Sequence, residues 1–393
     1  MPTSSHAIAS KLAISQIAPT AVQSEIRAMT VECDRVGGIN LAQGVCDTEM
    51  PAPVSEAAIR AIRDGHNIYT RMDGIATLRQ AIALKQERHW GLRCDPDTEI
   101  LVTSGATGGF FAACMALLNP GDEVLLFEPF YGYHRNTLQC LRMTPVVVPL
   151  TAPRWDLDVE RMKAAITPRT RALILNTPGN PNGKVFSRAE LEAIAHLAEQ
   201  QDLFIITDEI YEYFVYGGAR HISFATLPGM AERTITLSGF SKTFSVTGWR
   251  LGYLTASSRW LPAISFFHDM VYVCAPAPLQ HGAAAGLLQL PDAFYADLAA
   301  EYEKKRDIFC AALRDAGMAC SVPDGAYYVL ADVSCVPGAT AREKARTLLA
   351  RSGVAGVAGT AFFEHGGENL LRFCFAKKQP ELLEACTRLR AYS

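Results

Sequence analysis

Short apolar, β-branched runs recur through the middle of the chain. Each gives way to a turn and then, in several cases, to a stretch with helical spacing. Glu99-Ile-Leu-Val-Thr leads into Gly105-Ala-Thr-Gly-Gly and then a helix over Phe110–Leu118. Glu123-Val-Leu-Leu-Phe, Pro145-Val-Val-Val-Pro, Ala172-Leu-Ile-Leu-Asn, Leu203-Phe-Ile-Ile-Thr, Thr234-Ile-Thr-Leu and Arg250-Leu-Gly-Tyr-Leu are further strand candidates. The periodicity predicts helices over Val159–Ala165 and Ser187–Gln201, the second opened by Ser187 and Glu190 at capping-box spacing. Strand, helix, strand in this order predicts an α/β fold, with a mainly parallel sheet covered by helices on both faces. The Thr234 and Arg250 runs are joined by a short connection without a long helix, which predicts that this pair is antiparallel.

After about residue 290 the texture changes. A long helical stretch, Asp292–Ala316, precedes an α+β portion: a strand at Tyr327–Val333, a helix at Ala341–Ser352, a strand at Leu370–Ala376 and a last helix at Gln379–Arg390. The expected division is an N-terminal segment (1–44) packing with a small C-terminal domain (291–393), and a large domain (45–290) between them. A chain of 393 residues has the length for two such units.

Composition narrows the class. Apolar residues make up 49% and charged residues 20%, so a sizeable core is expected. A net charge of −3 argues against a general binder of nucleic acid or of a membrane surface. The eleven cysteines are scattered and odd in number, which reads as reduced core residues of a cytoplasmic protein rather than a disulfide framework. Cys46, in Gly-Val-Cys-Asp, reads as a small loop residue, with a reactive thiol as the alternative. The first 24 residues lack acids but offer too little Arg for a transit peptide and too short an apolar run for a secretory signal. They are expected to belong to the mature protein.

The chemistry concentrates in residues 238–253, Ser-Gly-Phe-Ser-Lys-Thr-Phe-Ser-Val-Thr-Gly-Trp-Arg-Leu-Gly-Tyr. Lys242 follows an apolar strand run. A lysine at a strand end can be partly desolvated, which lowers its pKa and frees the amine for imine chemistry. Ser241 and Arg250 could hold a phosphate nearby. A lysine imine beside a phosphate clamp is what pyridoxal 5′-phosphate requires. Asp208, at the end of the Leu203 run, is placed where α/β sheets bind ligands and could keep a pyridine nitrogen protonated. Tyr211 follows three residues later. Asn180 stands in a Pro- and Gly-rich loop, Asn176-Thr-Pro-Gly-Asn-Pro-Asn-Gly. Gly105, between a strand and a helix, lets backbone approach an anion at a helix N-terminus. Tyr131, in Glu-Pro-Phe-Tyr-Gly-Tyr, could stack on a flat ring. Arg372 lies inside an apolar strand and calls for a carboxylate, either internal or a substrate's. Taken singly these pieces also read as an N-cap, a turn or a core aromatic cluster.

In this order the pieces resemble the pyridoxal-phosphate-dependent aminotransferases of fold type I, class I/II, on the branch of the kynurenine, aromatic and methionine aminotransferases. The resemblance spans nearly the whole chain, from Ile17-Ala-Pro-Thr and Asn40-Leu-Ala-Gln-Gly44 to Leu371-Arg372-Phe. It implies that Lys242 forms the imine with the cofactor and then moves the Cα proton of the substrate. Asp208 pairs with the pyridinium nitrogen, while Asn180 and Tyr211 hold the ring oxygen. Gly105, Ala106 and Thr107 contact the phosphate with Ser241 and Arg250, and Tyr131 stacks on the ring. Arg372 binds the substrate carboxylate beside Gly44 and Asn180. Tyr69 reaches the phosphate of a second subunit, so the resemblance also implies a homodimer. No metal is implied.

Two positions depart from the pattern. Gly239 stands where many relatives carry Ser, and Cys46 where many carry Pro. The expected activity is ping-pong transfer of an amino group from an L-amino acid, aromatic or large and neutral, to a 2-oxo acid. The neutral preference follows from Thr107, where one aspartate-specific branch has lysine, and from Phe130, Tyr131 and Tyr133 nearby; Arg135 or another arginine remains a source of a second cation. The alternatives are a β-lyase, a decarboxylase or an aminocyclopropane-type synthase on the same scaffold, and a cofactor-sensing regulator, for which no helix-turn-helix precedes Gly44.

Overall fold

The computed structural model describes residues 13–18 and 25–392. Its strands are β1 (Ile39–Asn40), β2 (Ile100–Thr103), β3 (Glu123–Glu128), β4 (Thr144–Pro149), β5 (Thr170–Asn176), β6 (Phe204–Asp208), β7 (Thr234–Gly239), β8 (Gly252–Thr255), β9 (Tyr328–Asp332), β10 (Val354–Ala355), β11 (Val357–Ala358) and β12 (Leu370–Cys374). Seven of them form one sheet in the order β2-β8-β7-β6-β5-β3-β4. Only β8 runs against its neighbours. The expected parallel sheet and the antiparallel pairing of the Thr234 and Arg250 runs are therefore both present. The interior strands are apolar on both faces because helices cover both.

The helices are α1 (Glu25–Val36), α2 (Ala52–Arg63), α3 (Ala76–Lys85), α4 (Gly105–Leu117), α5 (Gly132–Cys140), α6 (Val159–Ala164), α7 (Arg188–Gln200), α8 (Leu261–Tyr272), α9 (Ala277–Gln289), α10 (Asp292–Asp315), α11 (Ala341–Ser352) and α12 (Gln379–Arg390). α7 begins where its capping box predicts: Glu190 N–H donates to Ser187 Oγ at 3.3 Å and Ser187 N–H to Glu190 Oε2 at 2.8 Å. It buries Leu191, Ile194, Ala195, Leu197 and Ala198 against the sheet side. α11 is capped by Thr340 and ends at Gly353, whose φ of +70° closes the last turn.

Two boundaries differ from expectation. α4 starts at Gly105, five residues before Phe110, because its first two turns press glycine and alanine onto β7 and β8. β8 starts at Gly252 because Arg250 adopts φ 50° and ψ 50°, which no strand residue can.

β11, β12 and β9 form a separate antiparallel sheet. A two-stranded sheet joins an early segment to a late one: β1 pairs in parallel with β10, Ile39 opposite Val354. α1 buries Met29 and Cys33, and two ion pairs tie it to α11, Arg342–Glu25 and Arg346–Glu32.

The parallel arrangement fixes where the chemistry lies. Asn176 on β5 stands opposite Asp208 on β6, and Asp208 opposite Leu237 on β7. Thr103 and Gly239 both stand opposite Gly252. The carboxyl ends of β2, β5, β6 and β7, the start of β8 and the N-terminus of α4 thus share one edge of the sheet, where α/β folds place ligands.

Candidate active site

A cavity of about 680 Å³ opens at that edge, within the range typical of small-molecule sites, roughly 300–1,000 Å³. Lys242 lies in the tight turn after β7, where Phe244 N–H donates to Phe240 C=O at 3.0 Å. Its Nζ donates to the Gly44 carbonyl at 3.1 Å. Burial pushes the amine pKa down, and the Arg250 guanidinium adds to that. A neutral lysine amine is a competent nucleophile and base.

Asp208 closes β6. Its Oδ1 accepts from Ile210 N–H at 3.2 Å and its Oδ2 lies 3.1 Å from His134 Nε2. His134, on the first turn of α5, stands edge-on to Tyr131 with ring centroids 5.2 Å apart. Tyr131 in turn stacks on Tyr133 at 5.2 Å. Tyr211 shares a 2.9 Å hydrogen bond with Tyr328 Oη, and burial holds its phenol protonated. Tyr328 comes close enough to Gly44 that a Cβ there would sit 1.8 Å from its hydroxyl.

At the other end, the α4 N-terminus presents Gly105, Ala106 and Thr107. Gly105 has φ +72°, and a Cβ on it would lie 2.6 Å from Arg250 Nη2, so a side chain there would displace the guanidinium. Arg250 Nη1 donates to Thr247 C=O at 3.0 Å. Ser241 is buried beside Lys242. Backbone amides, a hydroxyl and a guanidinium converging on one spot form an anion site.

Arg372 on β12 is 1% exposed. Its Nη1 donates to Asn180 Oδ1 at 2.9 Å and its Nη2 to the Ala42 carbonyl, while its guanidinium lies over Tyr328 at 4.4 Å. No acid among the described residues pairs with it, and Nε has no hydrogen-bond partner. The internal carboxylate considered from the sequence is absent from its surroundings.

The cavity therefore gathers Gly44, Ala106, Thr107, Tyr131, Asn180, Asp208, Tyr211, Ser241, Lys242, Arg250 and Arg372, with Gly105 behind Arg250. Tyr69 stands apart, 80% exposed and off the cavity wall of this chain. Arg135 is also off the wall, its guanidinium over Phe130 and 3.7 Å from Glu364. Cys46 is buried and burial raises its thiol pKa, which keeps it protonated. Sequence reasoning passed over His134 and Tyr328. A signal existed for the first: a histidine three residues after Tyr131 shares its face once α5 begins there. Tyr328 had none, because its partners Tyr211 and Gly44 are 117 and 284 positions away.

Residues 36–389 match the model of the aminotransferase class I and II family. The chain belongs to the class I and II aminotransferases. It is 35% identical over 387 residues to human kynurenine–oxoglutarate transaminase 3, covering 90% of this chain and 85% of the human protein. The solved structure of N-succinyldiaminopimelate aminotransferase from Mycobacterium tuberculosis superimposes with a TM-score of 0.93 at 37% identity, over 97% of this chain and 100% of that one. A second structure, of an Escherichia coli protein with a methionine aminotransferase function, gives a TM-score of 0.92 at 32% identity, over 97% and 100% of the two chains.

This aminotransferase has the fold-type-I architecture and, like its family, uses pyridoxal 5′-phosphate to move an amino group between amino acids and 2-oxo acids. The donor set fits that group: a buried amine for its aldehyde, a carboxylate for its ring nitrogen, neutral donors for its ring oxygen and an anion cradle for its phosphate. No helix among the described residues is long and apolar enough to cross a membrane.

Proposed function

We propose that this aminotransferase takes aromatic or large neutral L-amino acids as donors, and that Lys242, Asp208 and Arg372 carry the reaction. The buried guanidinium of Arg372, which no acid among the described residues neutralises, is the observation that best supports an α-amino acid as the substrate. Leaving such a charge buried and unpaired costs several kcal/mol, and a substrate α-carboxylate relieves it. Lys242, held beside the Gly44 carbonyl and with its amine pKa lowered by burial, takes the proton from the substrate Cα and returns it. The cofactor, when bound, supplies the electron sink for the pair left at Cα. Asp208, oriented by His134 and the Ile210 amide, keeps the ring nitrogen protonated. Asn180 and Tyr211 hold the ring oxygen, Tyr131 covers the ring, and Gly105, Ala106, Thr107, Ser241 and Arg250 hold the phosphate.

The same reading places Tyr69 in the site of a second copy. Tyr69 and Ile68 are both 80% exposed. Gln280 of α9 links their loop to the segment between α8 and α9 by hydrogen bonds to Thr70 Oγ1 at 3.3 Å and Ala275 C=O at 2.9 Å. Phe266, Met270 and Val271 of α8 are also exposed. An apolar surface of this kind suits a homodimer interface. The eleven free thiols suit a reducing, cytoplasmic setting. The proposed division is 1–44, 45–290 and 291–393; the separate seven-stranded and three-stranded sheets and the β1–β10 pairing support it.

The test is borohydride reduction of the cofactor-loaded protein followed by peptide mapping. The cofactor mass is expected on the peptide carrying Lys242 and absent from Lys242→Ala; label on another lysine would sink the assignment. An aromatic amino acid alone is expected to convert one equivalent of cofactor and stop until a 2-oxo acid is added. Continued turnover without the oxo acid would establish the lyase reading instead.

A further inference from the structure

A buried ion pair lies behind the cavity wall, and none of the roles above uses it. Lys85, the last residue of α3, pairs with Glu212, four residues after Asp208. Their side chains are 4% and 3% exposed. Every polar atom of the pair is engaged. Lys85 Nζ also donates to Tyr253 Oη at 2.8 Å and to Gln86 Oε1 at 3.1 Å, while Glu212 Oε1 accepts from Ser238 Oγ at 2.6 Å. Leu237 lines the cavity, so its neighbour Ser238 on β7 faces the other side of the sheet. Ser238 stands opposite Tyr253 on β8. Such a pair is a poor source of stability, because taking two charges out of water offsets most of their attraction. What it does fix is geometry: short polar contacts hold three segments at set distances. Glu212 directly follows Tyr211. Ser238 precedes Ser241 by three residues and Lys242 by four, and Tyr253 follows Arg250 by three.

We propose that Lys85 and Glu212 are positioning residues, which set the separation between the ring-side groups, Asp208 and Tyr211, and the phosphate-side groups, Ser241 and Arg250. The inference rests on the cofactor roles given above and extends them to residues that touch no ligand. Glu212 holds the ring-side segment, and through Ser238 and Lys85 it is tied to β7 and β8, whose ends carry the phosphate side. The consequence follows from effective concentration. A ligand with two heads gains from both half-sites only when their spacing matches its own, whereas either head alone is indifferent to that spacing.

The experiment is calorimetry on the full chain freed of cofactor, with three probes. Pyridoxamine 5′-phosphate has both heads and forms no imine with a lysine, pyridoxine has the ring alone, and inorganic phosphate is the other head. Lys85→Met combined with Glu212→Leu removes both charges together, so neither is left buried without a partner, which is the costly case. Ser238→Ala is milder: it cuts the tie to β7 and leaves the ion pair intact. Affinity for pyridoxamine 5′-phosphate is expected to fall about tenfold in the double variant and about threefold in Ser238→Ala, while pyridoxine and inorganic phosphate bind within about twofold of wild type. An unchanged affinity for pyridoxamine 5′-phosphate in both variants would overturn the proposal. An equal loss for all three probes would overturn it too, since the pair would then only support the fold. If the double variant does not fold, Ser238→Ala decides by the same comparison. Borohydride labelling of a lysine other than Lys242 would instead strike the reading of the site; the three probes make no use of Lys242 and still decide the role of the pair.

Discussion

His268 is a buried base with a backbone partner. Its Nε2 accepts from Ser104 N–H at 3.0 Å, just ahead of the α4 N-terminus, and burial pushes its pKa from the ordinary 6.5 to about 4. The neutral ring is the form that can accept. As pH falls from 6.5 towards 4, the unfolded chain takes up a proton that the folded chain refuses, so stability declines across that window. Below about 4 both states are protonated and this contribution levels off. The total is about 3 kcal/mol. His268→Gln keeps an acceptor without the titration. Its denaturation midpoint is expected to lose less than that of the wild type between pH 6.5 and 4, and parallel profiles for the two would refute this. Single positions were legible in the sequence to different degrees. Lys242, Asp208 and Arg250 announce themselves through local runs, since each is set by its own strand end. His134 and Tyr328 act only through partners that the fold brings in.

Gly239 and Gly252 face each other across β7 and β8, and the strands close in there. A Cβ on Gly239 would lie 2.9 Å from Gly252 Cα and 3.1 Å from the Leu251 carbonyl. Neither obstacle is a side chain that can turn aside. Gly239→Ser is expected to cost about 1–3 kcal/mol by forcing the strands apart. A thermal midpoint equal to or above that of the wild type would show that the pair can open freely. The same tightness explains which elements could be read from the chain. α7, α11 and α12 alternate apolar and charged faces and carry end signals, so their limits were visible to within a residue. α9 reads Ala-Pro-Leu-Gln-His-Gly-Ala-Ala-Ala-Gly-Leu-Leu-Gln and buries Gly282 through Gly286 against α2. With small residues on the buried side and little charge outside, it offers no period to detect. α3 hides for the opposite reason. It buries Arg79, bonded to Pro96 C=O at 2.9 Å and Asp97 at 2.8 Å, and Lys85, paired with Glu212 and bonded to Tyr253 Oη at 2.8 Å. Charged residues on the inner face of a helix defeat a pattern argument.

Two copies of this chain are proposed to meet through the loop around Tyr69 and the outer face of α8. Met270 is 66% exposed on that face. Met270→Glu places a charge in a surface that would otherwise be buried, and is expected to shift sedimentation from dimer to monomer and to weaken cofactor retention, because Tyr69 then reaches no phosphate. A variant that stays dimeric and holds its cofactor normally would remove α8 from the interface. The cavity also has a history along the chain. Everything proposed to hold the cofactor lies on the seven-stranded sheet and its loops, complete once Arg250 is made. Arg372, which is proposed to meet the substrate, and Tyr328, which lies against its guanidinium, follow up to 122 residues later. At about 5–20 residues per second, ribosomal synthesis separates the two by about 6–24 s. A growing chain thus gains Lys242 and the proposed phosphate cradle before it gains the arginine proposed to hold the substrate carboxylate and the aromatic ring, Tyr327, that lies against the lysine amine.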